Sequence, residues 1–461
     1  MRLGATICHR LRHHRFCGLM GTPFAALRFH CAIFHCAMFR SLFLIPLLFT
    51  VASFLGCDSK IEKFDANRVY SMTLARSRAM PMDAALEDSA KVIDDLFGTP
   101  NEPRWPIAFL DPSLAELVDP ERLIQSAGPV LSLKDDTHFG LYREHCVLCH
   151  GLSGSGKGPA SLVQDPYPRD FRHGLYKWKS TERTARPIRG DLERTIRSGI
   201  AGTAMPAFPL MVNDEVESLV DYVIYLSIRG EVERELLAAA VDEMGYEEAA
   251  PQEELRLRVP KLDLSEGKSL LDEESLSEGE AVTLEILNSV VEKWAEASSR
   301  VVDVPPSPVF DNAVELAAAV ERGRELFHGQ IANCVGCHDQ DGLGQTITLD
   351  YDDWSKEYSS RIGVTPTDKE AMQPFVDAGA MMPRIIQPRA LTDGVFHGGS
   401  DGETLYRRIK EGIAGTPMPG VEVVPTPSHQ GLTAEQIWDL VRYVQSFDAS
   451  RGESPLPGVA Q

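Results

Sequence analysis

The sequence predicts a mainly α-helical protein in which one unit occurs twice, the copies joined by an acidic, partly helical linker. Three observations predict it. The motif Cys-x-x-Cys-His stands at residues 146–150 and again at 334–338. Arg197-Ser198-Gly199-Ile200-Ala201-Gly202-Thr203-Ala204-Met205-Pro206 is matched by Lys410-Glu411-Gly412-Ile413-Ala414-Gly415-Thr416-Pro417-Met418-Pro419. Each copy then closes on an apolar helical stripe, Val216, Leu219, Val220, Val223 and Ile224 in the first and Ile437, Leu440, Val441 and Val444 in the second. Spacings of three and four put each set on one helix face. Motifs recurring in the same order mark an internal duplication.

The chain has 461 residues, 43% of them apolar and 25% charged. That is room for about three domains, and the composition is that of a folding chain. The formal charge of −21 argues against sequence-independent binding to nucleic acid, which needs a basic surface.

The charge is uneven. Residues 1–56 hold six Arg and no acid, and the remainder stands at −27. Arg40 precedes an apolar run at 41–54, and Gly56-Cys57 follows. A positive start, a short apolar run and a small residue at the end read as a signal peptide over 1–56. The run falls short of the ~20 apolar residues of a membrane span; a buried core helix is the competing reading. Gly56-Cys57 resembles the lipobox of bacterial lipoproteins, with Phe54 where Leu is usual. The resemblance implies acylation of Cys57 as the first mature residue, and Asp58 resembles an inner-membrane retention signal. Met38-Phe39-Arg40 would open a leader of ordinary length, so residues 1–37 read as a mis-called start.

Residues 57–135 are expected to form a tether and a small cap on the first repeat. Leu86, Ala90, Ile93 and Phe97 give a helical stripe that stops at Gly98 and Pro100, and a Pro-rich stretch follows.

The repeated Cys-x-x-Cys-His reads as c-type haem attachment. Two thiols on one helical turn can add across the two vinyl groups of a haem, and the next residue then faces the iron. Cys146, Cys149 and His150 would serve one haem c, and Cys334, Cys337 and His338 a second. A zinc or redox pair is the competing reading for one such motif. Of nine Cys, four lie in the leader and one is Cys57, so no disulfide framework is required. Gly154 and Gly156 follow His150 at the same offsets as Gly342 and Gly344 follow His338.

In this combination of haem motif, Gly-rich loop, Met loop and closing helix, each copy resembles a class I c-type cytochrome domain, covering residues 136–229 and 311–448. The resemblance implies two small helical bundles, each around one covalent haem c. It implies His150 with Met205, and His338 with Met418, as the axial ligand pairs. Thioether sulfur suits reduced iron, and His/Met ligation raises the potential above His/His. Met211 in the first copy and Met372, Met381 and Met382 in the second compete for the sulfur role.

The other ring nitrogen of each His needs an acceptor. In the family a Pro carbonyl supplies it. Pro159 fits in the first copy, while Gln345-Thr346 stands at the matching place in the second, leaving His338 without an assigned acceptor. Pro168-Arg169 aligns with Pro388-Arg389, and both Arg are expected at haem propionates, as Arg forks suit carboxylates. Trp178 is expected in the core or at a haem edge. His338 to Met418 spans 80 positions against 55 from His150 to Met205, the extra residues lying around 351–382.

Residues 169–197 carry nine Lys/Arg against four acids. One expectation is a docking patch around Lys177 and Lys179 for an acidic partner; propionate neutralisation with a solvated face stands beside it. Residues 230–310 join the two domains. Their stretch 231–280 holds sixteen acids against five bases and reads as solvated, with a docking arm as alternative; a helix follows at 274–299. Residues 449–461 form a tail.

The function expected is a lipid-anchored dihaem cytochrome c on the periplasmic side of the bacterial cytoplasmic membrane. It would pass single electrons between redox proteins of a respiratory chain. As a six-coordinate carrier it would have no small-molecule substrate and would not be an enzyme. A dihaem peroxidase and a fixed electron-transfer subunit of a respiratory complex or dehydrogenase are the alternatives.

Overall fold

The computed structural model describes residues 62–247, 251–262, 275–345 and 351–449. The leader, Cys57 and the tail beyond residue 449 lie outside them. The chain divides into two bodies, Met1–Ile61 and Glu62–Gln461, and the second holds everything described here. Among the described residues it has fourteen α-helices and one two-stranded antiparallel ribbon, Leu131–Ser132 with His138–Phe139.

Ahead of the first haem motif come α1 (Arg68–Arg78), α2 (Asp83–Phe97) and α3 (Pro120–Ser126). The first repeat then supplies α4 (Leu141–His145), α5 (Val147–His150), α6 (Arg189–Ser198) and α7 (Asn213–Asp242). Helix α8 (Glu278–Ala295) follows, closed at its start by a capping box between Ser277 and Glu280. The second repeat supplies α9 (Ala313–His328), α10 (Val335–His338), α11 (Asp353–Arg361), α12 (Lys369–Asp377), α13 (Gly402–Glu411) and α14 (Ala434–Ala449).

Helix α7 is the axis of the first repeat. It runs well past the stripe that marks it in the sequence, and every residue from Ser218 to Glu233 is buried. Helices α2 and α8 cover its later turns, with Val92, Ile93, Leu96 and Phe97 on one side and Leu287, Val291 and Trp294 on another. The solvated reading of the acidic stretch therefore fails at its start. Its first charges are paired inside the fold. Glu233 lies 3.6 Å from Arg229, and Glu231 accepts from Trp294 Nε1 at 2.7 Å and pairs with Arg186. Residues 62–135 pack into this core more extensively than the small cap expected. Asp88 on α2 accepts from Tyr246 at 2.7 Å and from Arg256 Nε at 2.9 Å, tying the segment after α7 back to it.

The second repeat is centred on the crossing of α9 and α14. Gly323 permits it: a Cβ there would lie 2.0 Å from the Asp439 carbonyl oxygen. Arg322 forks onto the Asp439 carboxylate with two bonds of 2.8 Å, locking the crossing. In the first repeat the matching leading helix, α4, has only five residues. The chain enters it through Gly140 (φ +75°), pressed against Pro129. The extra residues of the second repeat form α11 and α12. Their buried Tyr358, Met372 and Phe375 pack on Val69 and Met72 of α1. The insert thus reaches across to the first half. No helix among the described residues is long and apolar enough to cross a membrane.

Candidate functional site

Both Cys-x-x-Cys-His motifs fold into the same single turn. In the first, Cys149 and His150 donate their amides to the Cys146 carbonyl at 3.1 and 2.9 Å; in the second, Cys337 and His338 donate to Cys334 at 3.2 and 2.9 Å. The four thiols are free. Burial pushes the Cys146 thiol up to about 12 and the Cys334 thiol up to about 11. Among the described residues no three His, Cys, Asp or Glu side chains gather as a metal site by themselves.

Each motif helix ends in a Gly-rich loop that folds back under it. Gly156 N–H donates to the His150 carbonyl at 2.9 Å, and Gly344 N–H to the His338 carbonyl at 3.2 Å. Phe171 N–H donates to the Gly154 carbonyl at 2.8 Å, and Leu391 N–H to that of Gly342 at 2.7 Å. Both Gly156 (φ +72°) and Gly344 (φ +62°) let the returning chain at Pro168 and Pro388 press close, since a Cβ would lie 2.5 Å from either Pro carbonyl.

That return delivers the acceptor for each His. His150 Nδ1 lies 3.1 Å from the Arg169 carbonyl oxygen, and His338 Nδ1 lies 3.1 Å from that of Arg389. The expectation for Pro159 is corrected: the acceptor follows the Gly-rich loop instead of standing within it, and the second repeat has its own. A carbonyl can only accept, so Nδ1 carries the proton and Nε2 keeps its lone pair for iron. Burial pushes His150 down to about 4 and His338 in the same direction, so both rings are neutral near pH 7. Phe171 stacks on His150 with centroids 4.5 Å apart.

The Met loops are also alike, and the Thr in each explains the repeated Gly-Thr-x-Met-Pro. Thr203 donates its hydroxyl to the Ile200 carbonyl at 2.8 Å and accepts from Met205 N–H at 3.1 Å. Thr416 does the same with Ile413 at 2.9 Å and Met418 at 3.2 Å. Each loop closes when the Ile amide donates to the Met carbonyl, at 3.2 Å for Met205 and 3.3 Å for Met418. Met205 and Met418 are half-buried. Of their competitors, Met372 is fully buried and takes a 3.6 Å contact from the Tyr358 hydroxyl, while Met381 is 5% exposed and faces Ser161.

Lys177 and Lys179, the centre of the expected docking patch, are engaged inside the fold. Lys177 donates to Asp352 of the second repeat at 2.8 Å. Lys179 donates to the Ala185 carbonyl at 2.6 Å and to that of Glu182. Arg183 donates to the carbonyls of Met418 and Thr416 at 2.6 and 2.8 Å. Trp178 meets His397 edge-on at 5.7 Å, with Arg408 over its ring at 4.9 Å. From the other side Arg384 donates to Leu162 at 2.8 Å and lies 3.5 Å over Tyr167. Lys177, Arg183 and Arg384 thus lie on the seam between the two repeats, while Lys179 is tied within its own segment.

Arg169 and Arg389 serve the His residues through their carbonyls, a role their side-chain chemistry does not announce. Their guanidinium groups lie on the seam. Arg389 is pressed against His397. Arg169 Nη1 is buried with no hydrogen-bond partner. A buried donor left unmet is costly, and a propionate would meet it; the thiols, the imidazoles and this guanidinium all fit a covalent haem.

The model of the family described as cytochrome c oxidase, cbb3-type, subunit III matches residues 135–223, and that of the cytochrome c family matches residues 320–448. No curated protein matches the chain. A solved chain from the Kuenenia stuttgartiensis reducing HAO-like protein complex is 20% identical with a TM-score of 0.39, over 67% of this chain and 94% of that one, a likeness on which neither fold nor function rests. The two family matches fall on the two repeats, and with them the helical architecture: the chain carries two cytochrome c-type domains in tandem.

Proposed function

We propose that this tandem cytochrome c relays single electrons between redox proteins of a respiratory chain, exported and held at the membrane through acylated Cys57. One haem c is bound in each domain, through Cys146 and Cys149 in the first and Cys334 and Cys337 in the second. Bound haem iron supplies the one-electron cycle between Fe(III) and Fe(II). The chain's own part is positional. His150 and His338 present Nε2 while Nδ1–H donates to the carbonyls of Arg169 and Arg389, which fixes ring orientation and raises basicity. Met205 and Met418, each on a loop stiffened by a Thr hydroxyl and a following Pro, supply sulfur. Were His and Met both to bind each haem iron, no position would be left for substrate, and on that ground we read a carrier and not a peroxidase.

The observation that carries this reading is the recurrence, bond for bond, of the His acceptor and the Thr-held Met loop in two segments of differing sequence. A redox titration of the full chain followed optically tests it. The expected result is two one-electron waves, with Met205→Leu and Met418→Leu each displacing one wave. A high-spin haem in the unsubstituted protein that reacts with peroxide would overturn it.

A further inference from the structure

The two Met loops are held differently. The Met205 loop is closed by its own domain: the three atoms nearest a Cβ on Gly199 belong to Met205, Pro206 and Ala207. At the equivalent Gly412 (φ +72°) a Cβ would meet Arg183 Nη1, and then the Met418 carbonyl oxygen at 2.5 Å. Arg183 belongs to the first domain. Its fork spans the carbonyls of Met418 and Thr416 at 2.6 and 2.8 Å, and its own amide donates to Glu411 at 3.2 Å. A second guanidinium from the first domain approaches the same loop. Arg169 Nη1, buried without a hydrogen-bond partner, lies 3.8 Å from where a Cβ on Gly415 would stand. The reciprocal approach makes no such fork onto the loop carbonyls. Gly202 of the Met205 loop meets Val395 and His397 of the second domain. Burial and the neighbouring Arg389 push His397 down to about 4, so it meets that loop neutral near pH 7.

We propose that the first domain completes the second haem site, with Arg183 as the positioning residue that holds the Met418 loop in its ligating conformation. This rests on the reading of Met418 as an axial ligand. The fork takes the carbonyl of the ligating residue itself, so it restrains the backbone from which the sulfur is presented. The Arg183 cation beside this site also favours the less positive, reduced iron there. The second site thus depends on the docking of the first domain, and the first does not depend on the second in the same way.

The test uses the full, haem-loaded chain with Arg183→Ala, read by the sulfur-to-iron charge-transfer band of the oxidised protein and by redox titration. Met205→His and Met418→His backgrounds each remove one sulfur and tell the sites apart. In the Met205→His background the expected result is loss of most of the remaining band. The potential of the second haem should also fall, by about a tenfold change in its Fe(III)/Fe(II) ratio at fixed potential, ~59 mV for one electron. In the Met418→His background the remaining band should be unchanged. If Arg183→Ala does not yield folded protein, Arg183→Lys keeps the charge but cannot span both carbonyls, and should lose part of the same band. Full retention of the band in the Met205→His background, or equal loss in both backgrounds, overturns the proposal. Failure of Met418→His alone to halve the band of the unsubstituted protein instead overturns the ligand assignment beneath it.

Discussion

Trp178 packs directly on Gly398, the residue that occupies its own position in the other repeat when Pro168-Arg169 is aligned with Pro388-Arg389. A Cβ on Gly398 would lie 2.9 Å from Trp178 Cγ and 3.0 Å from its Cβ. Contact between equivalent positions, with each Met loop also meeting the other repeat, is what an approximate two-fold relation produces. The duplicated domains therefore face each other across the segment that follows each His acceptor, and the indole at the centre has room because its counterpart has no side chain.

That fit predicts the cost of filling it. Gly398→Ala adds a methyl against the indole at a backbone angle of φ +74°. It should destabilise the protein by about 2–3 kcal/mol, within the range of overpacked sites. Urea unfolding of the two proteins measures it, and Trp178→Ala in the Gly398→Ala chain should recover part of the loss. An unchanged midpoint would place the indole elsewhere.

Reversing Lys177 should act on stability instead of on partner docking. Its ammonium donates to Asp352 at 2.8 Å, with side chains only 16% and 11% exposed. Lys177→Glu leaves two carboxylates facing each other and should cost about 3–5 kcal/mol, as loss of one partner in a buried pair does. Asp352→Lys combined with it should restore a good part. A reversed chain as stable as the original would return the basic run to solvent.

Acid should lower stability over two pH windows. His173 lies 3.7 Å from Asp170 and 3.7 Å from Glu357, yet burial, then Arg234, push it down to about 4. Its folded pKa is lower than the unfolded value, so the unfolded chain takes the proton first. The stability it contributes is complete above about pH 6.5 and is lost as pH falls from there toward 4, at up to ~1.4 kcal/mol per unit. Asp170 and Glu357 are both held at about 2 despite their burial, chiefly by Arg172 and Arg234 respectively. Their contribution is complete above the ordinary carboxylate range and is lost as pH falls from about 4 toward 2. Unfolding free energy measured against pH should show both windows, and His173→Gln should flatten only the upper one.

Thr416→Val and Thr203→Val keep side-chain volume and remove the hydroxyl that bridges the Ile carbonyl to the Met amide. Each should weaken its loop by about 1–2 kcal/mol, the worth of two modest hydrogen bonds. The measurement is the denaturant midpoint at which the sulfur-to-iron band disappears, expected to fall for one haem at a time. Midpoints unchanged in both would mean that the hydroxyls do not hold the sulfur loops.

What was legible in the sequence was the chemistry-bearing local structure. The haem motifs, the Met loops and the stripe beginning at Val216 are short-range patterns, and each folds as its spacing implies. What was not legible depends on contacts between distant segments. The acceptor for His150 is a backbone atom nineteen residues on, and a carbonyl carries no side-chain signature. The Pro-Arg repeat was visible, but it points to the guanidinium first. Lys177 and Arg183 look like a solvated face because charge normally is solvated; only the approach of 352 and 411–418 covers them. The long reach of α7 was hidden by Arg229, Glu231 and Glu233, which read as polar punctuation and are instead buried and partnered.

The proposed relay requires two haem c groups on this one chain, each fixed by its own pair of thiols. Intact mass measured on the denatured, holo-purified protein tests it most directly. The expected result is a polypeptide carrying the mass of two porphyrins, falling by one when Cys146 and Cys149, or Cys334 and Cys337, are both changed to Ala. Fewer than two porphyrins on the unsubstituted chain, or pigment that leaves in acidified acetone, would contradict it.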